Sequence, residues 1–90
     1  MKKYLIEREI PGVEKLSGEE LKGAAATSNA ALAELGPKVQ WVHSFVTKDK
    51  TFCLYLAEDE AVVREHARLS GFPANRITEV TGMIDPTTAG

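Results

Sequence analysis

Apolar residues along this chain switch period four times, and the switches, with the turn signals between them, define its elements. The run Lys3-Tyr4-Leu5-Ile6-Glu7-Arg8-Glu9-Ile10 is rich in β-formers and closes on the turn pair Pro11-Gly12, predicting a first strand. Ser17 and Glu20 then stand at capping-box spacing, with Leu16 and Leu21 at the staple positions around them. Leu21, Ala24, Ala25, Ser28, Leu32 and Leu35 recur at helical intervals until Gly36-Pro37 stops them, which predicts a helix over 18–35. Its stripe includes the small residues Ala24, Ala25 and Ser28, so the helix is expected to lie close against a sheet.

Residues 38–47 and 51–57 predict two strands joined by Lys48-Asp49-Lys50, a connection short enough to make them an antiparallel hairpin. The acidic group Glu58-Asp59-Glu60 suits the N-terminus of a second helix. That helix carries Val62, Val63, His66, Ala67 and Leu69 at helical spacing and ends at Gly71 and Pro73. Weak alternation from Arg76 to Ile84 predicts a last strand, and 85–90 is expected to be coil.

The order predicts an α+β, ferredoxin-like βαββαβ fold, a four-stranded antiparallel sheet with both helices on one face. With no linker or low-complexity stretch, 1–90 is expected to be a single ferredoxin-like domain with a C-terminal coil. Strands two and three are apolar at both parities: Val39, Trp41 and Phe45 against Val42 and Val46, and Phe52, Leu54 and Leu56 against Cys53 and Tyr55. Strands of that kind are usually buried on both faces. Nothing in the chain remains to cover the second face, so a homodimer is expected.

Charge removes several function classes. Eleven Lys and Arg against 13 Asp and Glu give a net charge of −2, with no basic stripe to attract nucleic acid or anionic lipid. No apolar run approaches the ~20 residues of a membrane span, and Lys2-Lys3 leads into too short an apolar segment for a signal peptide. The single cysteine excludes an internal disulfide framework and suits a reducing, cytoplasmic setting. Gly-rich phosphate loops, G-x-S-x-G and paired-carboxylate motifs are all absent.

Few residues are left to carry chemistry. His43, between Trp41 and Phe45, is either a packed histidine or a ligand or acid/base group, and its face depends on the hairpin register. A two-residue turn sets it opposite Leu54, toward the helices. A three-residue turn sets it opposite Tyr55, near Cys53. Lys48-Asp49 lacks the Asn-Gly or Asp-Gly of a two-residue loop, which favours the three-residue arrangement. His66 falls at the edge of the second helix's stripe, a boundary histidine or a metal ligand. Glu65 precedes it but points about 100° away around the helix. Glu7 and Glu9 share a strand face and are either solvated or oxygen ligands. Cys53 reads as a small buried hydrophobe, and with Trp41 and Tyr55 it is a candidate to line a pocket between sheet and helices.

Five stretches carry a resemblance: Lys3 to Glu9, Gln40 to Thr47, Arg64-Glu65-His66-Ala67-Arg68, Gly71 to Ile77, and Ile84 to Thr88. In this order the chain resembles a small bacterial family of unassigned general function that includes a nickel-binding protein from actinobacteria. The likeness spans Lys3 to Thr88. It implies a ferredoxin-like homodimer with metal at the dimer surface and a role in nickel sequestration. The residues supply the candidates: His43 and His66 as imidazoles, with Glu7, Glu9 or Glu65 as carboxylates. Nickel usually needs three or more protein ligands, which a dimer could pool. The preferred expectation is thus a non-enzymatic divalent-metal (nickel) binding homodimer. The alternative is a small-molecule-binding protein or cofactor-free enzyme with a pocket around Trp41, His43 and Tyr55, by analogy with other dimeric ferredoxin-like proteins.

Overall fold

The computed structural model describes residues 1–90. In chain order the elements are β1 (Lys2–Glu9), α1 (Gly18–Leu35), β2 (Val39–Val46), β3 (Lys50–Ala57), α2 (Glu60–Ser70) and β4 (Arg76–Val80). The four strands form one sheet in the order β2-β3-β1-β4, every neighbouring pair antiparallel. This is the ferredoxin-like α+β arrangement.

Helix α1 starts where its local chemistry demands. The Ser17 hydroxyl accepts from the Glu20 amide at 3.2 Å, and the Glu20 carboxylate accepts from the Ser17 amide at 3.0 Å. Ser17→Ala is expected to cost about 1 kcal/mol, read as a lower urea midpoint at unchanged slope. Helix α2 is capped by Asp59, whose carboxylate accepts from the Val62 amide at 3.0 Å. It ends on Gly71 at φ 77°, a left-handed position that glycine fills without strain.

On the helix-covered side of the sheet, Tyr4, Ile6, Val39, Cys53, Tyr55 and Ala57 pack with Val63 of α2 into one buried cluster. Leu32 and Leu35 of α1 and Ile77 of β4 close its edges. The C-terminal half of α1 therefore sits on the core. The N-terminal half does not: its alanines are too short to fill the gap to the sheet, and a cavity stays open beneath them.

The hairpin differs from expectation. Thr47 donates its amide to the Lys50 carbonyl at 2.9 Å, so the turn has two residues, Lys48 and Asp49. Neither has positive φ. Asp49 is instead anchored from outside: its carbonyl accepts from the Ile10 amide at 3.0 Å and its carboxylate from the Gly12 amide at 2.9 Å. These tertiary bonds replace the turn chemistry that Asn-Gly would have supplied.

A second difference follows within β2. Trp41 pairs with Tyr55, and His43 pairs with Leu54, leaving Val42 as the extra residue of a β-bulge. The bulge inverts the alternation. Before it, Val39 and Trp41 point to the helices; after it, Ser44 and Val46 do, opposite Cys53 and Thr51. His43 and Phe45 pair with Leu54 and Phe52, the register a two-residue turn sets. That face is the uncovered one and not the helix side expected, because β3 turns Thr51, Cys53, Tyr55 and Ala57 to the helices.

Strand β4 stops at Val80, short of the predicted Ile84, and Met83 and Ile84 are largely exposed. The tail is a short 3-10 turn at Pro86–Ala89, capped by Asp85, rather than coil.

Candidate functional site

The sheet's two faces separate the residues that sequence reading had grouped together. On the helix side, a cavity of about 390 Å³ opens between the N-terminal half of α1 and the sheet. Leu16, Leu21, Ala24 and Ala25 form its roof, Trp41, Val46 and Cys53 its floor, and Ile10, Val13 and Phe72 its ends. Trp41, Cys53 and Tyr55 thus do line one pocket. His43 does not: it pairs with the outward-facing Leu54, and the bulge at Val42 separates it from the inward-facing Trp41.

Arg8 is the residue that sequence reading missed. It shares the inward parity of Tyr4 and Ile6, yet carries a charge, and it is 2% exposed. Its Nη1 donates to the Pro73 carbonyl at 2.7 Å, while its Nη2 is buried with no partner. The guanidinium lies 6.0 Å from the Tyr55 ring centre and 5.9 Å from that of Phe72, at the limit of cation–π attraction. Its inward parity was visible in the sequence. The Phe72-Pro73 segment that holds it comes from 65 residues away and was not.

Behind Tyr55 the polar groups continue into the core. His66 is 0% exposed, its ring 5.0 Å from that of Tyr55. Its Nε2 is 3.2 Å from the Ser28 hydroxyl, and its Nδ1 is buried without a partner. Burial, aided by the positive charge of Arg8, lowers the His66 pKa against the opposing influence of the Ser28 backbone. A neutral ring donating from Nε2 to Ser28 leaves only an acceptor unpaired, the cheaper of the two orphans. Burial likewise raises the Tyr55 hydroxyl, against the lowering influence of Ser28 and Arg8. His66 is therefore a core residue rather than a boundary one, sealed from solvent between the two helices and the sheet.

The uncovered face carries His43, exposed and 5.0 Å from the Phe45 ring, beside half-buried Phe52 and Leu54. Phe45 is 60% exposed. Glu7 and Glu9 lie two strands away from His43 on this face, Glu7 opposite Phe52 and Glu9 opposite Lys50, in a polar recess shared with Lys50, Asn75 and Arg76. Glu7 pairs with Lys50 at 3.7 Å, and the Glu9 carboxylate accepts from Asn75 at 3.4 Å. Glu65 is held by Arg68 on the outside of α2, and this bond lowers its pKa. The five candidate metal ligands do not converge: no group of three His, Cys, Asp or Glu side chains in one chain could hold a metal ion.

One antiparallel sheet in the order β2-β3-β1-β4 under two helices, with an apolar recess beneath one helix and a histidine on the open face, makes this a ferredoxin-like α+β protein. Within that class the chain belongs to the family described as nickel responsive protein SCO4226-like, whose model matches residues 4–80. Among solved structures its fold is similar to the crystal structure of SCO4226 from Streptomyces coelicolor A3(2), with a TM-score of 0.72 at 20% identity. That match covers 91% of this chain and 99% of the other. No curated protein matches. The resemblance read from the five sequence stretches thus holds at the level of the family, and no helix is long and apolar enough to cross a membrane.

Proposed function

We propose that this chain is a non-enzymatic nickel-binding protein that acts as a homodimer and holds the metal through His43 on the uncovered sheet face. The carrying observation is the position of His43, the exposed imidazole of the pair, projecting from an apolar face that the helices leave open. Family membership supplies the link to nickel. Imidazole suits Ni(II), and the donor set within one chain is too small, so a second copy has to contribute. Phe45, Phe52 and Leu54 around His43 give that copy an apolar surface to cover. His66 and Glu65 have no part in this reading, since one is sealed in the core and the other is paired with Arg68. The role is sequestration of the metal, and the reading places the protein in the cytoplasm, where the Cys53 thiol stays reduced.

Light scattering of the eluted protein is expected to give twice the 9.8 kDa chain mass, and Phe45→Glu to return it to one. Titration calorimetry with Ni(II) is expected to show saturable heat that His43→Ala removes and His66→Gln leaves in place. Undiminished heat from the His43→Ala protein sinks the proposal.

A further inference from the structure

We propose that the cavity beneath α1 binds a small apolar or aromatic molecule ending in one carboxylate, which meets the Arg8 guanidinium in the cavity wall. This does not rest on the nickel reading, whose residues lie on the other side of the sheet.

The anchor is an unbalanced charge. A guanidinium has five N–H donors and is always protonated. Here it is 2% exposed, one nitrogen bonds a backbone carbonyl, and a second has no partner. No carboxylate of the chain reaches it: the ion pairs are Lys50–Glu7, Arg64–Glu60 and Arg68–Glu65. None of the sixteen residues lining the cavity is acidic. A buried charge is tolerated when a counter-charge meets it, and a guanidinium edge is shaped for a carboxylate. The missing partner is therefore an anion that arrives from solution.

The walls define the rest of the ligand. Beyond Arg8 the polar side-chain groups of the lining are the hydroxyls of Ser28, Ser44, Thr51 and Tyr55, the Trp41 indole N–H and the Cys53 thiol, none of them charged, and the rest is apolar. Arg8 is the lone cation, which suits a monoanion and argues against a phosphate ester. A volume of about 390 Å³ holds roughly a dozen groups at ~30 Å³ each, the share of one water molecule. A phenyl or short alkyl chain carrying a terminal carboxylate meets all three conditions.

Trp41, the chain's one tryptophan, lines the cavity and donates its indole N–H to Ser44 Oγ at 2.9 Å, so its emission reports on occupancy. The test compares 4-phenylbutyrate with 4-phenylbutanamide, equal in size and different in charge, by Trp41 fluorescence and calorimetry on the full chain. The carboxylate is expected to bind about tenfold or more tighter than the amide. Arg8→Met is expected to bring the two to the same affinity, and Ala25→Phe, which fills the roof, to remove both. Equal affinities in the unsubstituted protein, or no response to either compound at millimolar concentration, overturns the proposal without requiring that any variant fold.

Discussion

Ile6→Ala is expected to remove about 2–5 kcal/mol of stability, the range for truncating a fully buried branched side chain. Ile6 is 0% exposed on the helix side of β1, an inner strand, where it pairs with Cys53 on one side and Ile77 on the other. It has nowhere to collapse. Strands on both flanks and Val63 of α2 fix the walls of the hole it would leave. A domain of this size has about 5–15 kcal/mol in all, so the melting temperature should fall by more than roughly 10 °C. A loss under about 1 kcal/mol in urea unfolding would mean the sheet and helices do not meet at Ile6.

The second large effect is on acid stability and comes from His66. Its folded pKa lies below the ordinary value near 6.5, so the unfolded chain takes up the proton first. The stability due to neutral His66 is present in full above pH 6.5 and is lost as pH falls from there through the lowered folded value. Below that value both states are protonated and the slope ends. Three features oppose the imidazolium: burial, the charge of Arg8, and the lack of any acceptor at Nδ1. Tyr55, the other titratable group against the ring, stays neutral because burial raises it. Unfolding free energy is expected to fall as pH drops below about 6.5, with a slope of at most about 1.4 kcal/mol per pH unit. His66→Gln keeps a partner for Ser28 and should flatten the profile in that window. The paired Glu65 and the capping Asp85, both lowered, act only further into acid. A slope that persists in the His66→Gln protein would assign the effect to another group.

Local chemistry was the legible part of this fold. The 18–35 helix coincides with α1 because capping box, staple and Gly36-Pro37 are all written within a few residues of its ends. The topology followed from element order and short connections. What sequence could not supply was phase. Strand β2 is apolar at both parities, so a bulge at Val42 leaves no trace in its pattern, yet it puts Trp41 and His43 on opposite sides of the sheet. The tight turn was misjudged for a related reason: Asp49 is anchored by Ile10 and Gly12, across the fold. The cavity's tryptophan, cysteine and tyrosine were legible as a group because they share a face of the hairpin. Arg8 was hidden by its neighbours, since Glu7-Arg8-Glu9 looks like a solvated strand end unless the parity of Tyr4 and Ile6 is carried forward. Alanine proved ambiguous as well. It allows close approach where a neighbour fills the gap, and it leaves a hollow where none does.

Beyond its bulge, β2 is a partition wall one peptide thick. Its consecutive side chains belong to alternate rooms: His43 and Phe45 to the open face, Ser44 and Val46 to the cavity. The body of a ligand lying against Ser44, its carboxylate on Arg8, and a metal drawn to His43 would push on the same backbone unit from opposite sides. Thermodynamic reciprocity then fixes their relation: whatever factor one occupant imposes on the other's affinity, it receives in return.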